Sequence, residues 1–205
     1  MTDLTLPPFD ATVTREVRWF RDGPVPALVV DWFTAASANI EREERTDWYD
    51  ADFAHDGVGM KRRGTSTIDA KFRVLATGAV DVAPGMTGSV EDWLKTSTPV
   101  SGSSDDRGRH HLKVAKSIAT RRYQSPKRAV PCAGCEAELV TITVEDRVAW
   151  SLCFETFGRP EDRCEAFEAG IRMFLADTPL PDGLTFASDD SCGYPEWIAR
   201  LAQRV

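Results

Sequence analysis

The sequence predicts an α+β protein: an antiparallel β-barrel of about eight strands, closed or nearly closed, with a polar lumen and flanking helices. Three observations carry this. Residues 68–74 alternate without a slip, with Ile68, Ala70, Phe72 and Val74 set against Asp69, Lys71 and Arg73, and a period of two puts the sets on opposite strand faces. The same division into an apolar and a charged face recurs in residues 12–20, 135–144 and 147–157. Helical spacing is confined to residues 27–38 and to the stretch after Pro160. Strands with one polar face each suit a barrel that encloses those faces, and an open sheet with a wet polar face is the alternative that alternation alone leaves open.

In chain order, residues 12–20 place Val13, Arg15, Val17 and Trp19 on one face and Thr14, Glu16 and Arg18 on the other. Gly23, Pro24 and Pro26 break this strand, and Leu28, Trp32 and Phe33 mark a helix over 27–38. The charged run 42–47 reads as a solvated helix end or loop, and 46–51 returns to the sheet. Residues 60–64 and 66–75 are the arms of a hairpin turning at Gly64, Thr65 and Ser66. Residues 78–88 read as loop, 89–96 as strand or short helix, and the Ser-, Gly- and Asp-rich 97–109 as an insertion. A basic strand follows over 112–124, a turn over 126–134, and a hairpin through Glu145 and Asp146. Cys164, Phe167, Ile171 and Phe174 mark a helix after Pro160, and Trp197, Ile198 and Leu201 a last one from Pro195. With no repeat or linker, residues 1–205 are expected to be a single domain, with C-terminal helices from about residue 160 packed on the barrel.

A net charge of −7 argues against a general nucleic-acid or anionic-membrane partner. No apolar run nears the roughly 18 residues that span a bilayer, and the N-terminus lacks a basic region followed by an apolar one, so a cytoplasmic protein is expected. Five cysteines preclude a complete disulfide framework. Cys132 and Cys135 form one CxxC with no partner motif downstream, which reads as reduced thiols in a turn rather than a zinc site. Phosphate-binding glycine loops, GxSxG and HExxH are absent. Trp19, Trp32, Trp48 and Trp197 are expected in the core, with a homodimer surface as the alternative.

The charged strand faces gather into a constellation. Arg18, Lys61, Arg63 or its neighbour Arg62, Lys71, Arg73, Lys95 and Arg121 or Arg122 make a basic wall; Glu16, Glu136, Glu138 and Glu155 make an acidic one. Guanidinium forks and ammonium groups suit a polyphosphate or multi-carboxylate anion, and converging carboxylates suit Mg2+ or Mn2+.

These segments resemble the CYTH, or triphosphate tunnel metalloenzyme, superfamily. The resemblance rests on the strand order and on VTREVRWF, GVGMKRRGTSTIDAKFR, CEAELVTI, AWSLCFETFG and SCGYPEW. It implies metal-dependent cleavage of a phosphoanhydride in an organic or inorganic triphosphate or polyphosphate. Lys61, Arg63, Lys71, Arg73, Arg121 or Arg122, with Arg18 and Lys95, would bind phosphates. Glu16, Glu138 and Glu155 would hold Mg2+ or Mn2+, and Glu16 and Lys71 stand closest to the chemistry. Where the superfamily begins its first strand with ExExK, this chain has Thr14 for the first Glu and Arg18 for the Lys. A barrel that binds a polyanion without hydrolysing it is the competing expectation.

Overall fold

The computed structural model describes residues 10–35, 40–63, 67–99, 111–124 and 133–203. The turn expected at 64–66, residues 100–110 of the expected insertion, Cys132 and most of the turn at 126–134 lie outside the described residues.

Eight antiparallel strands close into a barrel. They are β1 (Asp10–Asp22), β2 (Glu41–Asp50), β3 (Val58–Arg63), β4 (Thr67–Ala83), β5 (Met86–Pro99), β6 (His111–Gln124), β7 (Ala133–Val144) and β8 (Arg147–Gly158). The order around the barrel is β1-β5-β4-β3-β2-β6-β7-β8, with β8 returning to β1. The β7–β8 hairpin turns at Glu145 and Asp146 as the sequence predicts, Glu145 taking the positive φ of 54° that a tight turn demands.

Helices α1 (Ala27–Thr34) and α2 (Arg163–Asp177) cover part of the outside. The outward residues of β1, β7 and β8, among them Val17, Trp19, Ala137, Leu139, Leu152 and Phe154, are buried together with Val29, Trp32, Phe33, Phe167, Ile171 and Phe174. Packing is tight enough that a Cβ on Gly170 of α2 would lie 2.1 Å from the Cβ of Cys135 on β7. Helix α3 (Tyr194–Ala202) flanks the barrel at one end rather than along its side. Its Tyr194, Trp197, Ile198 and Leu201 pack with Phe20, Tyr49, Leu112, Val140, Ile142 and Ala149, residues whose strand parity is that of the lumen. The last helix therefore stops one end of the barrel. Gly59 of β3 makes room for it, since a Cβ there would meet Pro195 Cγ at 2.8 Å.

Other expectations are corrected. The charged run 42–47 is strand, part of β2, because its outer face meets solvent and its inner face a polar lumen, so no hydrophobic period marks it. Residues 78–88 are strand around a turn at Pro84 and Gly85, not loop. Residues 89–96 are strand, and 97–99 extend β5. The apolar face of β4 faces outward and is not covered: Phe72 is 41% and Val74 64% exposed. Trp19, Trp32 and Trp197 are core, while Trp48 is 41% exposed. No helix among the described residues is long and apolar enough to cross a membrane.

Candidate functional site: a lumen with two walls

Above the α3 stopper the barrel encloses a cavity of about 470 Å3. Tyr194 forms its floor, stacked on Tyr49 with ring centroids 5.7 Å apart. The mouth lies where β3, β5 and β8 bring Arg63, Ser97 and Gly158.

One wall, from β2, β3 and β6, is crowded with cations. Asp47 is fully buried, and its Oδ2 accepts from Lys116 Nζ at 2.7 Å and Lys61 Nζ at 3.0 Å, with Arg45 Nε at 3.4 Å. Arg63 pairs with Asp69 at 3.1 Å, and Lys61 lies 3.8 Å from the same carboxylate. Arg45 has a second partner in Glu43 at the exposed rim. Burial drives the Lys61 ammonium down to about 8, Asp47 restoring part of the loss. Lys116 falls well below its ordinary value, through burial and then the charge of Lys61. Burial alone would raise the Asp47 carboxyl, but Lys61 and Lys116 outweigh it and hold the group below the usual carboxylate range. Among the described residues cations outnumber carboxylates on this wall: three cations crowd one oxygen of Asp47, and its Oδ1 has no hydrogen bond.

The other wall is a row of carboxylates. Glu136, Glu155, Glu16 and Glu91 are successive cross-strand partners through β7, β8, β1 and β5. Direct antiparallel partners share a face, so all four point inward. Each has a cation: Arg122 on Glu136 at 2.7 Å, Lys95 on Glu155, Lys71 on Glu16 at 2.7 Å and Arg73 on Glu91 at 3.0 Å. Glu138, two residues from Glu136, pairs with Arg18 at 2.9 Å. Lys71 Nζ also stands 4.4 Å over the ring of Trp93. Burial lowers Lys71, Glu16 offsetting part of it; for Lys95 the carboxylates of Glu155 and Glu16 outweigh burial and the net shift is upward. This wall is neutralised one for one, in contrast to the first.

Of the residues singled out from sequence, Arg18, Lys61, Arg63, Lys71, Lys95, Glu136, Glu138 and Glu155 line the cavity. Glu16 is buried just behind, bonded to Lys71. Arg63, rather than Arg62, is the lumen residue of its pair. Arg122 stands at the rim, half exposed, with Glu136. Two expectations are corrected. Arg73 lies toward the α3 end, where it ties Glu91 to Asp56 and approaches Glu196. Arg121 faces outward: its guanidinium donates to Phe33 O and Thr178 Oγ1 beneath α1 and α2, because Arg121 shares its strand face with Ala119 and Tyr123. Sequence reasoning missed Arg45, Asp47, Tyr49, Lys116 and Tyr194. Lys116 was findable, since it interrupts the face Leu112, Val114, Ile118 that is otherwise apolar.

No family model matches the chain, and no curated protein does. What the lumen can hold follows from its charge. Among the described residues the β2–β3–β6 wall carries more cations than carboxylates, a charge balance that suits an anion. The carboxylate wall offers a cation the oxygens of Glu16 and Glu155, which are direct partners in register, and Glu16 Oε2 is buried without a hydrogen bond. Glu138 is turned to Arg18, and among the described residues the further ligand-capable atom beside the pair is the thiol of Cys153. The donor set of Glu16, Glu155 and Cys153 therefore suits a divalent cation.

Proposed function

We propose that the lumen takes the phosphate chain of a small organic or inorganic triphosphate, or of a short polyphosphate, and that the protein is a divalent-cation-dependent phosphohydrolase acting on it. The observation that carries this reading is the convergence of Arg45, Lys61 and Lys116 on a single buried carboxylate oxygen. Phosphate oxygens entering beside Asp47 would relieve that crowding with charge-assisted hydrogen bonds. In this reading Arg45, Lys61, Arg63 and Lys116 hold the non-reacting phosphates. Arg18, Lys71 and Lys95, between the walls, meet the charge that develops on the transferred phosphoryl group. A divalent cation on the carboxylate wall, Mg2+ or Mn2+ by the resemblance, would supply Lewis-acid polarisation of that group. Arg122 is a rim residue that meets the ligand on entry. Such substrates belong to the cytoplasm, and that setting is part of the proposal.

The test is phosphate release from tripolyphosphate, ATP and thiamine triphosphate with Mg2+ or Mn2+, comparing wild type with Lys116→Met and Glu16→Gln. Metal-dependent release that both substitutions abolish supports hydrolysis. A second reading, a receptor that binds without cleaving, is favoured by the cation already on each carboxylate and by Thr14 in place of Glu. Tripolyphosphate binding that depends on Lys116, with no release from any substrate, would select it.

A further inference from the structure

We propose that Glu16, Cys153 and Glu155 form a binding site for a divalent cation that accepts sulfur, of the Zn2+ or Co2+ class, in preference to Mg2+. Their ligand atoms lie within 4.8 Å of one another. Glu16 and Glu155 are direct partners across β1 and β8, and Cys153 precedes Glu155 by two on the same face, so strand geometry fixes all three on rigid sheet. Cys153 is fully buried and free of any disulfide.

Clustered acids and a thiol alone do not make a site. Two further observations point to a ligand. Glu16 is 1% exposed, yet among the described residues its Oε2 has no hydrogen bond; Lys71 occupies only Oε1. Thr14, the next lumen residue along β1, is 8% exposed with a hydroxyl that also lacks a partner among the described residues. Buried oxygens are left unsatisfied at a cost, and a cation would satisfy that of Glu16 directly. The neighbouring charges are Lys71 on Glu16, Lys95 on Glu155 and Arg18 on Glu138. These cations oppose a second positive charge, which favours a metal with strong bonds over a weakly held hydrated one. Mg2+ demands an octahedron of oxygens and gains little from sulfur, whereas Zn2+ and Co2+ accept thiolate with carboxylate and leave an open position. Binding releases the thiol proton to solvent. The inference keeps the cation on the carboxylate wall that the proposed function needs, replaces Mg2+ there with a sulfur-accepting ion, and is independent of phosphate binding.

The experiment is a Co2+ titration of the full-length protein, read by absorbance. Tetrahedral Co2+ with a thiolate gives a sulfur-to-metal charge-transfer band, expected to saturate at one equivalent, to disappear on adding Zn2+ and to persist in excess Mg2+. Cys153→Ser should lose the band and bind Zn2+ about tenfold or more weakly, since even outer-shell changes cost metal sites about 10- to 100-fold. Glu16→Gln should keep the band but weaken Co2+ binding by a similar factor. A Cys132→Ser/Cys164→Ser variant should behave as wild type. Co2+ binding without the band, a band that survives Cys153→Ser, or one that depends on Cys132 or Cys164 overturns the proposal. Tripolyphosphate binding without metal is measured in parallel: its absence alongside an intact band sinks the phosphate reading and leaves this site standing.

Discussion

At the scale of single residues, Asp47 decides the character of the lumen. It is the one carboxylate that keeps Lys61, Lys116 and Arg45 together, so Asp47→Asn should destabilise the protein by about 3–5 kcal/mol, as for a broken buried ion pair. Tripolyphosphate should then raise the melting temperature of the variant more than that of wild type, because the ligand replaces the lost charge. Calorimetric melting with and without the ligand checks both. Lys116→Met should weaken tripolyphosphate binding by about 1.5–3 kcal/mol, roughly ten- to hundredfold. The depressed Lys61 adds a pH signature. Its value is about 8 in the folded protein against an ordinary 10.5, so between these pH values the unfolded chain holds more protons and Lys61 makes stability rise with pH. An anion beside the ammonium restores its proton. Binding near pH 9 should therefore take up as much as about one proton, and affinity should fall as pH rises through about 8. Calorimetry in two buffers of different ionisation enthalpy measures the uptake, which Lys61→Met should reduce.

At the scale of elements, β6 shows why parity matters more than charge. Lys116 and Arg121 are both buried cations of one strand, five residues apart and hence on opposite faces. Lys116 enters the lumen, whereas Arg121 ties the end of α1 to Thr178 after α2. Arg121→Met should accordingly cost about 1.5–3 kcal/mol of stability in urea unfolding and leave tripolyphosphate affinity within about twofold. The alternating strands β1, β7 and β8 were legible because α1 and α2 cover their outer faces, which had to be apolar. Strand β2 was not legible: Glu41, Arg42, Glu43 and Glu44 are all exposed, and polar lumen and solvent ask for the same residue types. Arg45 and Asp47 were hidden with it. The role of α3 was equally hidden, since Trp197, Ile198 and Leu201 read as an apolar stripe whether it covers a barrel or stops one. Gly59→Val tests the stopper: the added side chain displaces Pro195, and a loss of about 1–3 kcal/mol is expected.

At the scale of the whole molecule, the barrel has two unlike sides. The helices cover β1 and β6 to β8, and the outer face of β4 carries Phe72, Val74, Leu75 and Val80 in contact with solvent. Val74→Thr should change stability by no more than about 0.5 kcal/mol in urea unfolding, as expected for a surface position. The ends are unlike as well. Among the described residues, α3 seals one end of the lumen, and no helix packs on the lumen face at the other. A blind tube cannot be threaded. On the proposed function a ligand would enter by a terminus, and an interior phosphate of a long polymer would not reach the carboxylate row. On the proposed function, product would leave through the opening by which the next substrate arrives, so leaving groups would compete with substrate for the same approach. Degradation of a long linear polyphosphate would then proceed from its tips, shortening every chain gradually rather than cutting a few in the middle.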